Sequence, residues 1–195
     1  MFAQLDTKSV YSFMDSVVDL NTYVKRAKEL GYQSIGLMDR DNLYAAYHFA
    51  QLAIRNGLRP LIGIEANLFY DGRKIPFRLL AKNNQGYKNL MKLATELSSG
   101  QREFTLFSDY LNDIALIIPS EDWEPGMSLG SEVFIGVRPE DAGKEFDYPV
   151  VPLHTVRYFE NADRSTIQTL HAISQNVSLS EASICPMNQL LFSPQ

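Results

Sequence analysis

Thiol and imidazole groups are scarce in this chain: its 195 residues hold one cysteine, Cys185, and three histidines. A single thiol closes no internal disulfide and makes no zinc pattern, which points to a reducing compartment, the cytoplasm. Long apolar runs are missing too. The best of them, residues 114–118 and 149–153, fall far short of the roughly 20 residues a membrane helix needs. No basic region followed by an apolar run opens the chain, so no secretion signal is read. Positive charge is not in excess: 18 Lys and Arg against 23 Asp and Glu leave a net charge of -5. That argues against broad nonspecific DNA binding, which depends on neutralising phosphates with Lys and Arg. No Gly-rich phosphate loop follows the first apolar segment, which weakens a dinucleotide-binding reading. What remains is a composition of 45% hydrophobic and 21% charged residues, ordinary for a folded domain long enough to bury a single large core.

Strand-like and helix-like patterns alternate along the chain. Residues 2–5 read as a short strand. Asp19 opens a helix in which Leu20, Tyr23, Val24, Ala27 and Leu30 recur at three- and four-residue spacing, stopped by Gly31. Residues 34–38 form an apolar strand ending at Asp39. Asn42 is the expected cap of a helix over 43–56, with Gly57 just beyond it. Residues 59–70 read as a strand, and Asp71-Gly72 as a tight turn into a further strand over 75–81. Asn84 is the expected cap of a helix through Leu97 that buries Tyr87, Leu90, Met91, Ala94 and Leu97. Residues 98–130 are less regular, with a strand at 114–118 and a turn and short helix within 119–130. Strands at 133–137 and 150–153 and a helix over 160–176 burying Ile167, Leu170 and Ile173 follow; 185–195 has the irregular look of a domain edge. Repeated strand-then-helix units favour an α/β fold with a largely parallel sheet. Of an open sheet and a barrel, the barrel is favoured, because Asp39 and Glu65 fall at or near strand ends, where barrels carry their ligands.

Five segments, residues 1–12, 31–43, 57–65, 80–90 and 149–173, resemble the PHP (polymerase and histidinol phosphatase) domain, in the form carried by bacterial replicative DNA polymerase III alpha subunits. Residues 1–12 keep the frame of that family's first strand, Phe-Val-His-Leu-x-x-His-Ser-x-Tyr-Ser, at Phe2, Leu5, Ser9, Tyr11 and Ser12. Residues 31–43 resemble its second motif, and 57–65, Gly-Leu-Arg-Pro-Leu-Ile-Gly-Ile-Glu, its third. Residues 80–90, Leu-Ala-Lys-Asn-Asn-Gln-Gly-Tyr-Lys-Asn-Leu, resemble a motif of the polymerase branch that PHP phosphatases do not share. Residues 149–173 look like the closing strand and helix. The resemblance implies a PHP-type distorted (β/α)7 TIM-like barrel spanning 1–195 as one domain, the N-terminal part of a longer polymerase chain. It implies that the magnesium-holding carboxylates of nucleotidyl transfer lie elsewhere in that parent chain, leaving no cofactor in this fragment.

An active PHP site resembles a two- or three-metal phosphoesterase, in which His, Asp and Glu from several strand ends clamp metals that generate hydroxide. Matched onto that pattern, Gln4 and Lys8 stand for the first two histidines. Asp39 is kept, Arg40 replaces a histidine, Glu65 is kept, and His154, Thr155 and Arg157 occupy the closing motif. No catalytic and no metal-binding residue is therefore expected. His48 and His171 read as ordinary helical residues. Cations do not ligate a divalent metal and repel one. Lys8, Arg40 and Arg157 are expected to supply the charge that Asp39 and Glu65 lose with the metal, against a plainer reading of side chains splayed into solvent.

Three functions follow. The favoured one is a structural docking domain with a degenerate metal site, whose partners are the palm and thumb domains of the same chain and other replisome subunits, with weak or no DNA contact. The alternative is a residual phosphoesterase or proofreading 3'-5' exonuclease built from Asp6, Asp15, Asp39, Glu65 and His154. A DNA-contacting face at Lys82, Lys88, Lys92 and Tyr87 is the third. Tyr44, Tyr47, Phe104, Phe107 and Trp123 are candidate docking aromatics that core packing explains equally well.

Overall fold

A computed structural model describes residues 3–130, 132–141, 143–160 and 162–182. Strands β1 (Ala3–Gln4) and β2 (Asp6–Thr7) precede α1 (Leu20–Glu29), β3 (Ser34–Arg40), α2 (Ala46–Arg55), β4 (Arg59–Tyr70) and β5 (Arg73–Ala81). Helices α3 (Asn84–Ser98) and α4 (Phe104–Phe107) then lead to β6 (Ile114–Pro119), β7 (Val133–Val137), β8 (Val150–Pro152), β9 (Thr155–Val156) and α5 (Asp163–Gln175). The chain divides into two compact units, one of residues 1–39, 44–61 and 154–195, the other of 40–43 and 62–153.

In the first unit β1 pairs in parallel with β3, Gln4 opposite Ile35, and β2 with β9, Asp6 opposite Thr155. Asp19 caps α1 by accepting from the Thr22 N–H, and Gly31 turns the chain out at φ 78°. The periodic residues Leu20, Tyr23, Val24 and Ala27 are the buried face. Tyr23 stacks on Phe49 of α2 with ring centroids 5.8 Å apart. Its hydroxyl accepts from Thr7 Oγ1 at 3.0 Å and donates to the Gly36 carbonyl at 2.9 Å. Complete burial pushes that phenol far above its ordinary pKa, so it stays neutral.

In the second unit strand order from Ile62 onward is β4-β5-β6-β7-β8. The β4–β5 hairpin turns on Asp71 and Gly72, at φ 48° and 75°. Two successive left-handed residues match a type I′ turn, whose twist fits the flanking strands. One sheet face carries Ile64, Ala66, Leu68, Phe77, Leu79 and Leu116 against Leu90, Leu93 and Leu97 of α3 and Phe104 and Phe107 of α4. The other face of the same rows carries Glu65 opposite Arg78 and Arg78 opposite Ile117.

Several expectations are corrected. Pairs β4–β5 and β5–β6 are antiparallel, so the sheet is mixed. Helix α2 starts at Ala46 without a side-chain cap, while Asn42 donates to the Arg40 carbonyl. Asn83, one residue earlier than expected, caps α3 by accepting from Gln85 and Gly86 N–H groups. Leu93 is buried in place of the exposed Met91, and Ile173 of α5 is exposed. Residues 119–130 hold turns and no helix, whereas α4 and strands β2 and β9 were too short for a periodicity to register. Glu65 lies mid-strand in β4. Phe2 and the segment 185–195, Cys185 included, lie outside the described residues.

Gly36 sits where β3 runs closest to residue 5: a Cβ there would lie 2.2 Å from the Leu5 carbonyl oxygen. Gly36→Ala is expected to cost about 2–3 kcal/mol through backbone displacement. Urea unfolding reads this directly; a midpoint equal to wild type would contradict the close approach.

Candidate functional site

Four of the expected site residues reach carboxylates, Lys8 and Thr155 at Asp6, Arg157 at Asp15 and Arg40 at Glu65, and each unit holds its own group. In the first unit the shortest strands place the chemistry. Asp6 and Thr7 form β2, and parallel pairing brings Thr155 of β9 alongside Asp6, where its hydroxyl donates to Asp6 Oδ2 at 2.7 Å. The Lys8 ammonium donates to Asp6 Oδ1 at 2.7 Å and to the Met38 carbonyl at 2.7 Å. Both side chains of this ion pair are 0% exposed. Gln4 turns its amide away from acceptor work: Nε2 donates to the His154 carbonyl at 2.6 Å and the Asp6 carbonyl at 3.1 Å.

Asp39, near the end of β3, is satisfied by the loop after Lys8. Its Oδ1 accepts from the Ser9 N–H at 2.6 Å and the Ser12 hydroxyl at 2.7 Å, and its Oδ2 from the Ser9 hydroxyl at 2.7 Å. Asp15 accepts from Arg157 Nε at 3.1 Å, and His171 Nε2 lies 3.2 Å from the same oxygen. The second unit treats Glu65 likewise. Arg40 Nε approaches Oε1 at 3.0 Å and Arg78 reaches Oε2 at 3.2 Å. Arg78 also donates to the Pro76 carbonyl at 2.6 Å.

The three cations singled out in the sequence each meet a carboxylate, though not the set expected. Arg40 does reach Glu65, as expected. Lys8 goes to Asp6 and Arg157 to Asp15, while hydroxyls serve Asp39. Arg78 and His171 were missed as site residues. Arg78 carried a readable signal, since it interrupts the apolar run Ile75–Leu80 on a strand whose neighbours are buried. His171 carried none, because its partner Asp15 is 156 positions away. Among the docking aromatics, Tyr44 and Tyr47 are exposed, Phe104 and Phe107 belong to the core, and Trp123 packs edge-on against Phe146. Val10, Tyr11 and Phe13 are also exposed, none of them among the expected docking aromatics. Lys82 is tied to Glu132.

Residues 4–124 match the family model of the PHP domain, and the chain belongs to that family. PHP domains are distorted TIM-like barrels, so the PHP-type α/β class expected from the sequence stands. The chain is 45% identical over 193 residues, 98% of its length, to DNA polymerase III subunit alpha of Streptococcus pyogenes serotype M1. It is 34% identical over 126 residues, 62% of its length, to that of Bacillus subtilis strain 168, and 32% identical over 111 residues, 48% of its length, to that of Aquifex aeolicus strain VF5. It spans 19%, 11% and 10% of those three relatives. It is a PHP domain of the kind DNA polymerase III alpha subunits carry. Among the described residues no helix is long and apolar enough to cross a membrane.

Removing the Lys8 charge takes from the buried Asp6 carboxylate the cation that neutralises it. Lys8→Met is expected to cost about 3–5 kcal/mol, the range for breaking one side of a buried ion pair. Chemical denaturation would show it as a lower midpoint; an unchanged midpoint would refute the pairing's energetic role.

Proposed function

We propose that this chain is the PHP module of a DNA polymerase III alpha subunit, acting in DNA replication as a structural and docking domain without hydrolytic activity. One observation carries the reading: Lys8, at the position the family resemblance gives to a ligand histidine, is a fully buried ammonium committed to Asp6 and the Met38 carbonyl. A divalent metal needs several converging lone pairs, neutral imidazoles and free carboxylates. The groups that converge on Asp6 include N–H and O–H donors from Lys8 and Thr155, and the Gln4 amide beside them also donates. Around Glu65 they are two guanidinium groups. A cation brought to either carboxylate would displace a protein charge already there and meet its repulsion. The residues present do not fit a metal centre.

In this reading magnesium belongs to the polymerase region of the parent chain, and the domain's neighbours are the palm and thumb of that chain and other cytoplasmic replisome subunits. The similarity to the polymerase alpha subunits over 98% of the chain supports that setting. With a net charge of -5, little nonspecific affinity for DNA is expected from the domain itself.

Isothermal titration of the purified chain with manganese or zinc, paired with an assay on bis(p-nitrophenyl) phosphate, tests the proposal. The expected outcome is no saturable binding and no metal-dependent hydrolysis. Stoichiometric metal uptake accompanied by turnover would overturn it.

A further inference from the structure

Helix α2 is apolar on both of its sides. Its sequence, Ala-Tyr-His-Phe-Ala-Gln-Leu-Ala-Ile-Arg, holds one arginine, one histidine and no carboxylate. Ala46, Phe49 and Ala53 form the buried side. The opposite side presents Tyr47 and Ile54, 71% and 65% exposed, and Tyr44, 79% exposed, stands just before the first turn. Gln51 lies between Tyr47 and Ile54, and its Nε2 donates to the Tyr47 hydroxyl at 2.8 Å. The steps from 47 to 51 to 54 are four and three residues, the period of a seam along which one helix packs on another. A helix that is apolar all round is ordinarily a covered one. The outer faces of α1 and α3 differ: they expose Lys25, Lys28 and Glu29 on the one, Lys88 and Lys92 on the other.

Charge selects the occupant of this stripe. From Tyr44 to Ile54 it carries no Lys, Arg, Asp or Glu, so nothing on it neutralises a nucleic-acid backbone or an anionic membrane. Nor does it carry a charge that a second copy of itself would repel, as the lysine pairs of α1 and α3 would. With two α2 helices antiparallel about a two-fold axis beside Ala50 and Gln51, Tyr47 of each copy meets Ile54 of the other. The same symmetry lays Tyr44 over Gly57, an exposed position where a Cβ would have nothing within 4 Å. The single cation, Arg55, then stands level with Ala46 of the other copy. Its own counterpart lies about 13 Å away along the helix axis, farther than the screening length of about 8 Å. A parallel pairing would set the two arginines side by side.

We propose that α2 is a self-association helix through which two copies of this chain pair antiparallel, Tyr47 against Ile54. Its 10 residues make a helix only about 15 Å long. One such pair buries less than the roughly 1,200 Å² of a standard interface, so the dimer is weak, with a Kd of about 100 μM. No residue of α2 belongs to the carboxylate clusters, so failure of the dimer leaves the metal-free reading untouched, and the reverse.

Sedimentation equilibrium of the full chain, from about 10 μM to about 1 mM, tests the pairing. The wild type is expected to show a reversible monomer–dimer equilibrium. Tyr47→Glu and Ile54→Lys, both at exposed positions, are each expected to keep the wild-type Tm and to weaken association about tenfold or more. An equimolar mixture of the two variants is expected to regain at least the wild-type affinity, because the introduced carboxylate and ammonium face each other in the mixed dimer. A wild type that stays monomeric, a variant that dimerises as the wild type does, or a mixture that fails to associate would each overturn the proposal. So would binding of phosphatidylserine vesicles or oligo(dT) that Tyr47→Glu abolishes, which would give the face to a membrane or a nucleic acid. Where a charged variant fails to fold, the wild-type equilibrium and the milder Tyr47→Ser, expected to weaken it about threefold to tenfold, decide the matter.

Discussion

A lysine ammonium buried beside an aspartate is the constraint on which the first unit of this domain depends. Lys8 ties Asp6 of β2 to the backbone of β3 through the Met38 carbonyl, and Asp6 ties both to β9 through Thr155. Strands of two residues have little pairing energy of their own. Their position is set by these side-chain bonds, made where water is excluded and each bond is electrostatically strong. The same exclusion makes the arrangement all-or-none, because either charge left alone would carry a desolvation penalty of several kcal/mol.

The remaining carboxylates follow the same rule with different donors. Asp39 draws on the serines of the loop that follows Lys8, and in doing so pins that loop at Ser9 and Ser12. The pinned loop holds Met14 at φ 60° and leaves Phe13 exposed. Asp15 draws on Arg157 and His171, linking the same loop to β9 and α5. Glu65, in the other unit, draws on two arginines. A family scaffold rich in inward-facing carboxylates is thereby held by protein donors at every one of these positions. Buried ion pairs of this kind give positional specificity more readily than net stability.

Much of this was legible in the sequence, and the boundary is physical. Elements with a periodicity long enough to count, such as α1 with its Asp19 cap and Gly31 stop, or β4 up to the Asp71-Gly72 turn, were placed to within a residue or so. Two-residue strands β2 and β9 have no periodicity, so the parallel pairing that brings Thr155 to Asp6 was invisible. The family motifs singled out Gln4, Lys8, Asp39, Arg40, Glu65, His154, Thr155 and Arg157, and of these Lys8, Arg40, Thr155 and Arg157 reach carboxylates. They could not assign partners, because which cation meets which carboxylate depends on strand register across about 150 positions of chain. Asn84 was preferred to Asn83 as a cap because adjacent asparagines look alike until the backbone N–H groups of Gln85 and Gly86 choose between them.

The most direct measurement of the central claim is the protonated Lys8 side chain itself, observed by nitrogen-15 NMR of its ammonium group at neutral pH with and without added manganese. A buried ammonium committed to Asp6 and a carbonyl gives a slowly exchanging signal that manganese leaves unchanged. A signal lost to rapid solvent exchange, or broadened by one equivalent of manganese, would contradict the proposed replacement of a metal site by protein charge.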